Sequence, residues 1–276
     1  MDTSRRQHTQ ALLAVALGAC SGEAAREPES PEPAPSNGTF RARADSFRDA
    51  YIDDSIRALD QNEPSVIFSG TTFLGVPVWQ NPCDLWRWQQ LLADYRPQRI
   101  VEAGTARGGL ALWLANVLEQ VQPDAHIHTI DLDPELEANL QAAREHALFQ
   151  RFVSVHHGSS TDRNIVARVA RDLNHPRVIV TLDSDHSSEH VANELRAYAP
   201  LIPPGGYLVV QDTVIDERPD YIERFARWHN HDARGGPGLA VTEFLATDIG
   251  RAFEVVRDLE AFGLTFYPDG WLRRRA

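Results

Sequence analysis

The sequence predicts an α/β fold, a doubly wound, mostly parallel seven-stranded sheet closed by an antiparallel C-terminal strand pair. Three observations carry that reading. Short β-branched runs alternate with helix-length amphipathic stretches, the order that builds a parallel sheet with helices on both faces. A Gly-rich turn, Val101-Glu-Ala-Gly-Thr-Ala-Arg-Gly-Gly109, joins the first such run to its helix. Later runs end in acidic or polar groups, as expected where a site lies along the carboxyl edge of the sheet. The 276 residues, 42% of them hydrophobic, suffice for one such domain with a tail.

The amino terminus reads as a targeting segment. Arg5 and Arg6 precede Ala11 to Ala19, an apolar stretch too short to span a bilayer, and Leu17-Gly-Ala-Cys20 overlaps its end. That tetrad resembles the lipobox of bacterial lipoproteins, in which the cysteine becomes the lipidated first residue. Pro28, Pro31, Pro33 and Pro35, set among glutamates, serines and alanines, predict a disordered tether. The expected organisation is a signal-like segment over 1–20, a tether over 21–40 and one folded domain over 41–276. It places the protein at the cell envelope, attached to the membrane through Cys20; a cytoplasmic protein is the alternative.

Residues 41–59 are helix-compatible and are expected on the rim of the domain. Thr72 to Gln80 reads as an aromatic-bearing loop, with Trp79 buried. Asn81-Pro82 is a good helix start, N-cap then first turn, and the helix runs to Tyr95 with Leu85, Trp88, Leu92 and Tyr95 at helical spacing. Arg99 to Val101 is the first strand, and Arg107 to Gln120 its helix. His126 to Ile130 is the second, ending in Asp131, with Asp133 as N-cap of a helix carrying Leu136, Leu140, Ala143 and Ala147. Phe152 to His156 and Arg177 to Leu182 are the third and fourth. Ser187 caps a helix striped by Val191, Leu195 and Tyr198. Pro203 to Gly206 turns into the strand Tyr207 to Val210, and Gly235 to Gly238 is expected to hinge a lid over the pocket. Phe253 to Val256 and Leu264 to Tyr267 are expected to form the closing antiparallel pair.

Composition narrows the chemistry. A net charge of -12 argues against a nucleic-acid partner, and two cysteines exclude a disulfide scaffold or a cysteine-rich metal site. All 27 basic residues are arginine, so no lysine can serve as base or phosphate clamp. In the dinucleotide fingerprint G-x-G-x-x-G, the second glycine lets the backbone approach a pyrophosphate. Here the frame reads Gly104-x-Ala106-x-x-Gly109, which puts a methyl group where the phosphate comes closest. Glu102 repels a diphosphate and attracts a cation. Both facts suit S-adenosylmethionine. Glu102 and the turn residues Gly104, Thr105, Ala106, Gly108 and Gly109 would hold its methionine part. Asp131 would hold the ribose, and Ser159 and Ser160 the adenine side.

Leu74-Gly-Val-Pro77, Glu102-Ala-Gly-Thr-Ala-Arg-Gly-Gly109, Ile130-Asp-Leu-Asp133, Gly158-Ser-Ser160, Leu182-Asp-Ser-Asp-His-Ser187, Val210-Gln-Asp-Thr213 and the block from Gly236-Pro-Gly238 to Glu243-Phe-Leu245 occur in order. Together they resemble the cephalosporin hydroxylase and rhamnosyl O-methyltransferase family over about 72–273. The resemblance implies the Rossmann-like class I S-adenosylmethionine methyltransferase fold. It also implies a divalent metal, usually Mg2+, held by an acid after the fourth strand and an acidic pair after the fifth. Asp185 and Asp212 are the expected ligands; Asp183, on the cofactor side, is the alternative to Asp185. Gln211 stands where the resemblance leads one to expect a second acid, and its oxygen can still coordinate, at the cost of a charge. His186 is the available base where related enzymes use lysine. The expected function is metal-assisted O-methylation of a hydroxylated, sugar-like small molecule, with oligomeric state left open. Two rivals remain. One is an oxygenase, which wants two histidines and a carboxylate from pairs such as His156 and His157 or His186 and His190. The other is a lipid-anchored binding protein that keeps the fold without turnover.

Overall fold

The computed structural model describes residues 45–54, 70–218, 220, 222–223, 234–260 and 263–276. The expected segments 1–20 and 21–40, Cys20 included, and much of the expected lid lie outside the described residues. Among the described residues no helix is long and apolar enough to cross a membrane.

The first described elements agree with expectation in the helix and depart from it in burial and in the loop that follows. Residues 45–54 are helical, and Tyr51 and Ile52 are buried in the core rather than on its rim. The expected loop at 72–80 contains a small antiparallel hairpin, β1 (Thr72–Phe73) and β2 (Val76–Pro77), turning at Leu74 and Gly75, both with positive φ. Trp79 is exposed, not buried; it is Gln80 that is enclosed.

The helix α1 (Pro82–Tyr95) starts as its sequence predicts, with the Asn81 side chain accepting from the Cys83 amide. β3 (Arg99–Ala103), α2 (Gly109–Val121) and β4 (His126–Asp131) follow. The expected helix after Asp133 is broken into α3 (Leu136–Asn139), α4 (Gln141–Arg144) and α5 (Ala147–Phe152). Asp133 does not cap the first of them; its carboxylate accepts the Glu135 amide in the preceding turn and the Asn139 side chain. β5 (Val153–His157) leads through a polar loop to α6 (Arg163–Ala170), capped by Asp162. β6 (Val178–Leu182), α7 (Ser188–Tyr198) with its Ser187 cap, and β7 (Tyr207–Val210) agree with expectation.

The closing strands do not. β8 (Phe253–Val255) pairs with β9 (Trp271–Arg274), and β9 with β7, both antiparallel. Leu264 to Tyr267 is not a strand. Asn81 Nδ2 donates to the Leu264 carbonyl, and Asp84 Oδ2 accepts the Phe266 backbone amide at 2.8 Å, which fixes this stretch beside α1. The expected glycine hinge is also a built corner: the amides of Gly236 and Gly238 both donate to the Asp216 carboxylate, at 2.7 Å each, and α8 (Pro237–Leu245) starts there.

The seven-stranded sheet has the order β5-β4-β3-β6-β7-β9-β8. Strand residues alternate between its two faces. Ile100, Ile127, Ile179 and Val209 pack against α1 and α2, where Trp88, Leu92, Leu114 and Leu118 are fully buried. Val101, Val180, Leu182, Leu208 and Val210 pack against α6, α7 and α8 through Val169, Leu195, Tyr198 and Ala240. The order reverses between β3 and β6. At such a switch point the loops at the carboxyl ends part and leave a crevice for a ligand.

Candidate active site

A cavity of about 650 Å³ opens there. Its wall is built at the ends of successive strands: Glu102 and Gly104 to Ala106 at the end of β3, Asp131 to Asp133 at the end of β4, Gly158 to Ser160 after β5, Asp183 to His186 after β6, and Asp212 after β7. That is a size and a setting typical of a small-molecule cofactor site. Two glycines are required by contact. A Cβ on Gly104, whose φ is +95°, would stand 1.8 Å from the Asp183 carbonyl oxygen, and one on Gly109 would stand 2.0 Å from that of Pro77.

Glu102 is buried, and its Oε2 accepts the Thr129 hydroxyl, which in turn lies 2.6 Å from the Thr105 hydroxyl. Burial pushes its carboxyl up to about 8; Thr129 opposes that and the nearby Asp131 adds to it. A cation beside Glu102 would therefore find a group that gains by ionising. Two of the loop amides, those of Thr105 and Ala106, are not open to a phosphate. Asp131 Oδ2 accepts from the Thr105 and Ala106 amides at 2.9 Å each, and Oδ1 from the Asp133 amide at 2.9 Å. A carboxylate has about four acceptor positions, so one is left for a ligand hydroxyl. This occupancy suits a cofactor without a phosphate, as Ala106 already indicated.

Beside them Asp183, His186 and Asp212 each offer a ligand atom, all within 4.8 Å of one another. His186 Nε2 lies 3.4 Å from Asp212 Oδ2. Burial raises the Asp183 carboxyl well above its usual range, and the charges of Asp212 and Glu102 add to that. Burial raises Asp212 as well, against the pull of His186. With no lysine in the chain, two mutually repelling carboxylates and an imidazole make a set that a divalent cation would relieve.

The structure brings most of the predicted residues to this cavity, with three changes. It is Asp183, not Asp185, that stands with Asp212; Asp185 lines the cavity, but its Oδ1 accepts the Ser187 amide at the start of α7. Gln211 faces away. Its oxygen accepts from Gln80 Nε2 at 2.8 Å and lies 2.7 Å from the Tyr267 hydroxyl, and its nitrogen donates to Thr181 Oγ1, so the side chain is engaged in a buried network outside the cavity lining. Gly108 also lies outside the lining, since a Cβ there would meet Leu140, Ala143 and Phe149.

Two residues with evident roles escaped the sequence. Tyr267 sits in a stretch that reads as a strand, yet its hydroxyl joins Gln80 and Gln211 behind the acids, and Gln80 Nε2 donates to Asp183 Oδ2 at 2.9 Å. Glu194 is an acid on the inward stripe of α7, four residues after His190, and that placement was the signal. The oxygenase arrangement is not formed. Among the described residues the one grouped set of ligating side chains has a single histidine; His156 is bonded to His128, and His190 to Ser160.

Comparison with known proteins agrees with this architecture. A rhamnosyl O-methyltransferase of Mycobacterium tuberculosis (strain ATCC 25618 / H37Rv) is 34% identical over 162 residues, 56% of this chain and 62% of its own length. One from Mycobacterium leprae (strain TN) is 30% identical over 216 residues, 76% of this chain and 85% of its own. The apo-structure of CmcI-N160 shares the fold, with a TM-score of 0.54 at 20% identity over 75% of this chain and 77% of that one. A CmcI-D160 structure with Mg and SAM does so with a TM-score of 0.52 at 20% identity over 76% and 78%. The family model described as rhamnosyl O-methyltransferase/CmcI matches residues 66–275, and the chain belongs to that family.

Proposed function

We propose that this protein is an S-adenosylmethionine-dependent, metal-assisted O-methyltransferase acting on a hydroxyl of a sugar-like small molecule. One observation carries the reading: the Asp183, His186 and Asp212 set and the buried Glu102 share one cavity at the switch point of the sheet. The names of the mycobacterial relatives, rhamnosyl O-methyltransferases, and the Mg and SAM of the CmcI structure support it.

Glu102 would face the cationic methionine end of the cofactor, with Gly104, Thr105, Ala106 and Gly109 shaping its seat. The remaining acceptor position of Asp131 suits a ribose hydroxyl, and Ser159 and Ser160 border the adenine. Asp183 and Asp212 would hold Mg2+ or a similar cation, with Gln80 orienting Asp183. When bound, the cation stabilises a developing alkoxide and the sulfonium supplies the methyl group. His186 would do the proton work: its imidazole, 3.4 Å from Asp212, would take the proton of the acceptor hydroxyl as that oxygen bonds to the methyl carbon and the sulfur–methyl bond breaks, its electron pair leaving on sulfur as S-adenosylhomocysteine.

The test is transfer of labelled methyl to a rhamnoside, with and without EDTA. Transfer is expected to need the divalent cation. His186→Ala should lose about 100-fold or more in rate while still binding S-adenosylhomocysteine. A fold kept only for binding would bind that ligand and transfer nothing. Calorimetry showing no heat with S-adenosylhomocysteine, in magnesium or without, sinks the cofactor assignment outright.

The Leu17-Gly-Ala-Cys20 tetrad supports a lipid anchor as a further part of this proposal. Labelled palmitate should be incorporated in a bacterial host and lost in Cys20→Ala; equal labelling of both proteins rejects the anchor.

A further inference from the structure

Glu194 stands behind the cavity wall on α7, fully buried. Its Oε1 accepts the hydroxyls of Ser160 at 2.5 Å and Ser184 at 2.6 Å and lies 3.4 Å from His190 Nε2. Those three side chains line the cavity. They come from three segments, the loop after β5, the loop after β6 and α7 itself. Tyr198, one turn further along α7, donates to the Ser160 carbonyl at 2.7 Å and fixes that backbone too. The other oxygen of Glu194 is buried with no partner among the described residues, which costs stability.

A carboxylate accepts hydrogen bonds and cannot donate them. Each serine therefore commits its only proton to Glu194, and what it can offer a ligand is a lone pair. His190 reinforces that direction. With the Ser160 proton committed to Glu194, the 3.1 Å contact between Ser160 Oγ and His190 Nε2 is made with the nitrogen as donor.

The geometry points to Glu194 as a positioning residue that fixes this wall as hydrogen-bond acceptor, so that it selects a 6-aminopurine over a 6-oxopurine. This rests on the proposed placement of the cofactor's base beside Ser160. An exocyclic amine donates to the serine oxygens. A carbonyl in its place sets lone pair against lone pair, and the serines cannot turn a proton to it without leaving Glu194 unpaired.

The test compares S-adenosylhomocysteine with its deaminated analogue, S-inosylhomocysteine, by calorimetry on the full chain. Wild type should bind the adenosyl compound at least about tenfold more tightly. Glu194→Gln keeps the shape but supplies an amide that can donate to the serines, which frees their protons; the preference should shrink to about threefold or less. If that variant does not fold, Ser184→Ala leaves Glu194 in place, removes one acceptor and should also weaken the preference. Equal binding of the two compounds by wild type, or folded variants that keep the full preference, overturns the assignment while the cofactor reading stands. No binding of S-adenosylhomocysteine by wild type removes both.

Discussion

Ala106 adopts φ 46° and donates its amide to Asp131, at the tip of the turn on which the site depends. A side chain in that left-handed region costs about 1–2 kcal/mol, because Cβ crowds the following carbonyl. The strain persists because Asp131 grips two successive amides, those of Thr105 and Ala106. Ala106→Gly should therefore raise stability by up to about 1 kcal/mol, once the larger entropy loss of glycine is subtracted. A shift of the urea midpoint to higher concentration would show it; a clear drop would mean the methyl group packs usefully. At this scale the sequence marked where chemistry would gather, because strand ends are legible from the apolar runs before them. It could not choose between Asp183 and Asp185, since that turns on which carboxylate the Ser187 amide occupies. Nor could it show that Gln211 points into a buried network, because its partners Gln80 and Tyr267 come from distant parts of the chain.

The segments that could be read were those whose own pattern decides them. α1 has its Asn81 cap and Pro82, α7 has its Ser187 cap, and the central strands are continuous apolar runs. The closing pair failed because its pattern misleads: Leu264 to Tyr267 looks like a strand, whereas Trp271-Leu-Arg-Arg274 looks too charged for one. Tertiary anchoring decides the matter. Asp84, fully buried in the first turn of α1, accepts the Phe266 amide and so holds the stretch from which Tyr267 reaches the site. Asp84→Ala should cost about 1–3 kcal/mol, since it strands that amide without a partner. Asp84→Asn keeps an acceptor oxygen and should recover most of the loss. Guanidinium unfolding of the three proteins measures this, and equal stability of the Ala and Asn variants would show the hydrogen bond to be irrelevant.

Across the whole molecule acids outnumber bases, 39 to 27, and several of those acids are enclosed. Burial pushes Asp84 up to about 7 and Glu102 up to about 8, so the folded chain keeps protons that the unfolded chain has already released. Where the native state binds more protons, stability falls as pH rises. The contribution of Glu102 declines from its unfolded pKa up to about 8, and that of Asp84 to about 7. His190, whose pKa is raised by Glu194 and Asp185 against the effect of burial, acts in the same direction as it loses its proton. His126 and His156, lowered by burial and by neighbouring His128, oppose the trend, but an unfolded histidine has released most of its proton by about pH 7, so their effect above it is small. Ligand-free protein should therefore lose about 1 kcal/mol or more between pH 7 and 8.5, at about 1.4 kcal/mol per pH unit for each group still holding its proton. Glu102→Gln should flatten that slope. S-adenosylhomocysteine with magnesium should stabilise the wild-type protein by mass action at both pH values, and more at 8.5, because the bound cations favour the ionised carboxylates. Calorimetric melts at the two pH values, with and without ligand, test the chain of reasoning from buried acid to cation site. A ligand-free protein that melts higher at pH 8.5 than at 7 contradicts it at the first step.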